Sequence, residues 1–130
     1  MTLHEQAKVL VGKAREDITV LRELVSNAKV SDDIWGFHAQ QAVEKLLKAQ
    51  LAIREIPFPF SHRLHELADL LEDNHLALGA EFESLLELTG YAVELRYARL
   101  DSGMTLPLDR AAILQLVDRL EDLTASRIRF

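Results

Sequence analysis

His38, Gln41, Lys45 and Lys48 follow one another at steps of three, four and three residues, so on a helix they stack along one face. Such a row can line a phosphate site, or it can be absorbed into a polar network with neighbouring carboxylates such as Glu44. Lys45, Lys48, Arg96 and Arg99 make a local basic pocket if their helices face each other. Further on, His62, His65 and Glu66 fall within one helical turn and Asp69 one turn later, a set chemically compatible with a metal. The set lacks the His-Glu-x-x-His spacing of zinc enzymes, and three ligands would have to come from one short helix, so no metal is expected. The chain has no cysteine, which excludes disulfides, thiolate nucleophiles and sulfur-ligated metals. His4, His38 and His75 carry no separate signal of their own.

The element that must position the row is a helix expected from about Ser31 to Glu55. Ala39, Ala42, Val43, Leu46, Ala49 or Gln50, and Ile53 recur on it at helical spacing as an apolar stripe beside the donors. Ser31 suits its N-cap, Asp32 and Asp33 suit the dipole in its first turn, and Pro57 and Pro59 end it. Trp35 and Phe37 read as core or dimer-contact aromatics.

A first helix begins at Thr2, with Glu5 three residues on as in a capping box. Leu3, Ala7, Leu10, Ala14, Ile18, Leu21 and Val25 carry it to about Ala28. Ser61 is expected to cap a third helix to about Asp73, and Glu81 to Leu100 reads as a fourth helix through Phe82, Leu85, Leu86, Thr89, Val93 and Tyr97. Pro107 opens a last helix that runs to about Arg127, and the charged tail Ser126-Arg127-Ile128-Arg129-Phe130 reads as frayed. No strand pattern or repeat occurs. The expected fold is all-α: an antiparallel up-and-down four-helix bundle with an additional short helix, a single domain over 1–130.

At 48% hydrophobic and 28% charged residues the chain is too apolar for disorder. Its formal charge of −6 argues against coating nucleic acid non-specifically, since such binding needs Lys and Arg to displace counterions from phosphates. No basic region followed by an apolar run begins the sequence, and no stretch reaches membrane-spanning length, so a cytoplasmic location without membrane contact is expected.

The run Phe37-His38-Ala39-Gln40-Gln41-Ala42-Val43-Glu44-Lys45-Leu46-Leu47-Lys48-Ala49 resembles the signature helix of HEPN domains, small helical proteins named for nucleotide binding in prokaryotes and higher eukaryotes. Pro57-Phe58-Pro59-Phe60-Ser61-His62-Arg63-Leu64 resembles the family's turn and Thr-His-Asp-Leu, and Tyr91 to Tyr97 its late Arg-Tyr helix. The resemblance implies, for some members, metal-independent RNA cleavage by an Arg with a His four to six residues later. The His would activate the 2′-hydroxyl and the Arg would hold the phosphate. Here Arg96 matches that Arg, but no His follows His75, which speaks against ribonuclease activity by the usual pair.

What the resemblance then implies is the Arg-Tyr variant: a homodimeric module that binds a nucleotide or RNA and works with a minimal nucleotidyltransferase in a toxin–antitoxin-like system. It is not catalytic alone and needs no cofactor. Arg96 would bind phosphate with Lys45, Tyr97 and Arg99 nearby, while Glu44 and Gln41 belong to a structural polar network; alternatively Arg96 pairs with a carboxylate such as Glu44. Two rivals stand beside this reading. One is a divergent metal-independent endoribonuclease with His62 as base and Arg96 as phosphate clamp; the other is a purely structural helical dimer.

Overall fold

Thr2 starts the first helix, α1 (Leu3–Leu24), with the expected reciprocal cap. The Glu5 backbone N–H donates to Thr2 Oγ1 at 3.1 Å, and the Thr2 N–H donates to Glu5 Oε2 at 2.9 Å. The computed structural model of the chain describes residues 1–92 and 108–128. Five helical segments and no strand occur among these residues.

Helix α2 (Asp32–Ile53) is capped by Ser31, whose Oγ accepts from the Ile34 N–H at 3.2 Å. It stops before the prolines rather than at them. The Glu55 N–H donates to Ala52 O and the Ile56 N–H to Leu51 O, with Glu55 at φ 58°, so a Schellman turn closes the helix and Pro57 follows it. Helix α3 (Leu64–Asp73) ends the same way, with His75 at φ 63° and the Leu76 N–H donating to Leu71 O. The expected Ser61 cap is corrected. The helix starts at Leu64 with Arg63 in the cap position, Ser61 Oγ accepts only from the Arg63 N–H, and the Leu64 N–H donates instead to the distant Thr89 Oγ1 at 3.0 Å.

The fourth segment also departs from expectation. Ala80–Tyr91 is wound as a 3-10 helix, and the buried residues Phe82, Leu85, Leu88 and Tyr91 sit three apart, the period of that helix. Residues 93–107, which include the rest of the expected fourth helix, Arg96, Tyr97, Arg99 and Pro107, lie outside the described residues. The last helix, α4 (Arg110–Arg127), is capped by Asp109, whose Oδ1 accepts from the Ala112 N–H at 3.1 Å.

Helix α2 is the centre of the packing and meets each of the other four segments, α1 most extensively. Its Ala39, Ala42, Val43, Leu46 and Ala49 are fully buried, as the stripe requires. Contacts fix the directions. Trp35 near the start of α2 reaches Leu21 and Lys45 reaches Asp17, while Ala49 packs on Ala7, so α1 and α2 run antiparallel. Arg110 meets Asp32 and Thr124 meets Gln50, so α4 runs parallel to α2 and antiparallel to α1, where Arg22 meets Asp118. At Gly36 an added Cβ would sit 2.5 Å from the Tyr91 ring, so only glycine lets the 3-10 segment lie against α2 there.

Two arginines on α4 tie the ends together. Arg110 donates to the carbonyls of Leu24, Asn27 and Val30 and to Asp32 Oδ1, closing the α1–α2 connection. Arg127 donates to Gln50 Oε1 and to the carbonyls of Leu76 and Ala77. The expectation of a frayed tail is therefore overturned at its start, for Arg127 is engaged and Ile128 is 3% exposed against Ala7 and Ala49. No helix among the described residues is long and apolar enough to cross a membrane.

Candidate functional site

The donor row of α2 meets two buried carboxylates, one from α1 and one from α2 itself. Asp17 sits on α1 at a core position between Ala14 and Leu21 and is 8% exposed. Lys45 Nζ donates to its Oδ2 at 2.7 Å, and His38 Nδ1 lies 2.9 Å from its Oδ1. Because a carboxylate only accepts, the His38 Nδ1 carries the proton of that bond. The His38 ring meets Phe37 edge to face at 5.3 Å between centroids.

Glu44, one helical position before Lys45, gathers the second cluster. Its Oε1 accepts from Gln40 Nε2 at 3.0 Å and lies 2.7 Å from His62 Nδ1, while its Oε2 accepts from Lys48 Nζ at 3.0 Å. Burial pushes the Glu44 carboxyl up, but hydrogen bonds from Gln40, Lys48 and His62 and the charge of Lys48 outweigh it and hold the group below its ordinary value of 4.5. Gln40 also donates to the His62 carbonyl at 3.0 Å and accepts from Gln41 Nε2 at 2.8 Å. Above this cluster the Pro57–Phe60 turn places the rings of Phe58 and Phe60 at 5.8 and 5.9 Å from Lys48 Nζ.

The two clusters share a design. Each is a desolvated carboxylate that fixes one lysine and one imidazole at the surface of α2, with side-chain exposures of 25% for Lys45, 29% for His38, 13% for Lys48 and 27% for His62. Fixed donors and a fixed imidazole can orient a phosphate or a hydroxyl, and a carboxylate behind an imidazole sets its tautomer for proton transfer.

The sequence pattern of the HEPN domain matches residues 7–127. The chain belongs to the HEPN domain family. No curated protein and no solved structure gives a significant match to it. Of the residues that the sequence singles out in this HEPN domain, Gln41, Glu44, Lys45, Lys48 and His62 are brought together along α2. Arg96, Tyr97 and Arg99 lie outside the described residues.

His65 and Asp69 are held apart from His62. They line a cavity of about 270 Å³ between α3 and the 3-10 segment, together with Glu72, Glu83 and Phe82. Among the described residues no group of three or more His, Asp or Glu side chains is placed to hold a metal ion. Two participants escaped the sequence reading. Asp17 had a signal, a carboxylate at a core position of the α1 stripe; Gln40 acquires its role only from Glu44 and the His62 carbonyl, which the row alone does not reveal.

Proposed function

We propose that this HEPN domain is a binding module of the RNA-binding or ribonuclease type that works as a binder rather than by the family's Arg–His pair. The observation that carries the reading is the α2 face, where two buried carboxylates hold Lys45, Lys48, His38 and His62 in place before any ligand arrives. Donors fixed in advance lose little freedom on binding. Arg96 supplies the phosphate clamp with help from Lys45, and Tyr97 and Arg99 flank it. The four-helix arrangement is up-and-down, a reading supported by α2 and α4 both running opposite to α1. The module is a homodimer and its partner is a minimal nucleotidyltransferase in a toxin–antitoxin-like pair.

The test is a titration of the purified protein with ATP, a short single-stranded RNA and the protein encoded beside it, repeated with Arg96→Ala once that variant is known to be folded. Binding that Arg96→Ala abolishes is the expected result. Absence of binding to all three leaves a structural dimer as the better account.

A second reading is favoured by one distance, the 2.7 Å between Glu44 Oε1 and His62 Nδ1, which is the geometry of a carboxylate-oriented base. It makes the protein a metal-independent ribonuclease with His62 as base and Arg96 as clamp. RNA cleavage that survives a chelator and is lost in both His62→Ala and Arg96→Ala is its signature; cleavage retained in either variant removes it.

A further inference from the structure

Phe60 is 98% exposed, far beyond the other exposed apolar residues that follow the initiating Met, Val9 at 48% and Ile34 at 46%. Its ring stands beside Lys48 and His62. Its centroid lies 5.9 Å from Lys48 Nζ and its ring meets His62 edge to face at 6.1 Å. Lys48 in turn is pinned by buried Glu44 and lies 5.8 Å from the ring of Phe58, which packs against the core. Pro57 and Pro59 alternate with the two phenylalanines and fix two backbone φ angles in the turn. The result is a short row of core-packed Phe58, Lys48 and then Phe60, whose ring is almost wholly exposed to solvent.

We infer that the outer face of Phe60 is a stacking platform for a base of single-stranded RNA, with His62 and Lys48 as its edge. This deepens the RNA-binding reading above and rests on it. A protein partner is a poorer match, because a protein interface is centred on a contiguous apolar patch with a polar rim. Here one ring stands alone among a lysine, a histidine and two prolines, and Val9 and Ile34 belong to other elements. A nucleobase has both an apolar face for the ring and polar edges for the flanking side chains, and base–aromatic stacking is tolerant of sequence. Charge does not itself draw RNA here. Lys48 is neutralised by Glu44 and the whole chain carries −6, so the binding energy has to come from stacking more than from counterion release.

The experiment is fluorescence anisotropy of fluorescein-labelled oligoadenylate and oligouridylate, each about ten nucleotides long, with the wild-type protein, Phe60→Ala and Phe60→Trp. Thermal melts and size-exclusion chromatography accompany every variant. Phe60→Ala is expected to weaken RNA binding by about tenfold or more, the usual effect of removing one stacked ring. Its melting temperature and its salt dependence of binding should stay unchanged, since neither a core contact nor a phosphate contact is removed. Phe60→Trp should bind at least as well as wild type, with its added indole emission quenched by RNA. Wild-type binding that Phe60→Ala leaves intact overturns the platform and spares the RNA-binding reading. No RNA binding by the wild type overturns both. A change of oligomeric state in Phe60→Ala makes the ring a protein contact and overturns the platform as well.

Discussion

The arginines of α4 and the lysines of α2 are all cations fixed by partners, yet they are fixed differently. Arg110 and Arg127 direct their guanidinium N–H groups at backbone carbonyls that end helices or form loops, three carbonyls for Arg110 and two for Arg127. Lys45 and Lys48 each place a single N–H on a side-chain carboxylate of the helical hairpin and keep further donors for the surface. The first arrangement is complete in itself and holds connections shut. The second holds a group still while leaving part of it unused, which is what a binding face needs.

That comparison is sharpest at Arg110→Met. It takes the guanidinium away from the carbonyls of Leu24, Asn27 and Val30 and leaves Asp32 without its cation, so unfolding by urea should show a loss of about 3 kcal/mol. Arg127→Met should cost about 2 kcal/mol in the same measurement, since Gln50 Oε1 and the carbonyls of Leu76 and Ala77 lose their donor near the molecular surface. Lys45→Met should cost less than about 1 kcal/mol, because Asp17 keeps His38 and the lysine is 25% exposed. If Lys45→Met proves as damaging as Arg110→Met, the distinction between closing cations and offered ones collapses.

The last effect is one of pH. The folded Glu44 carboxyl lies below 4.5, so its contribution to stability is present above that value and fades as the pH falls through the folded value. Glu44→Gln should therefore lose about 1 kcal/mol near neutrality and show a shallower fall in stability on the acid side than wild type. Urea denaturation between about pH 7 and about pH 3 reads this directly. An acid limb unchanged in Glu44→Gln would falsify the assignment of that carboxylate as ionised and paired.

Much of this was legible because the signals were local. The Thr2–Glu5 box, the Ser31 cap and the α2 stripe each concern residues within a few turns of one another, and they appear as the spacing requires. The start of α3 was not, since its first N–H is satisfied by Thr89, twenty-five residues away. Neither were the arginine clamps, whose partners, Asp32 and Gln50 aside, are backbone carbonyls fifty to eighty-six residues distant with no side chain to mark them. The 3-10 segment had a signal that an α-helical reading passed over: Phe82, Leu85, Leu88 and Tyr91 recur at steps of three, with Leu86 buried beside them. In the candidate site the donors were visible as a row. Their carboxylate on α1 was visible only as an oddity, an aspartate in a core stripe.

Trp35 turns the α4 clamp into something that can be watched. It is the sole tryptophan, fully buried, its indole N–H donates to Leu21 O at 3.1 Å, and the Arg110 guanidinium carbon lies 5.7 Å from its ring centroid. The molecule thus carries its own optical gauge at the seam where α1, α2 and α4 meet. A red shift in its emission at a denaturant concentration where helical circular dichroism is still intact would mean that this seam opens first, as a latch lifting before the door comes off.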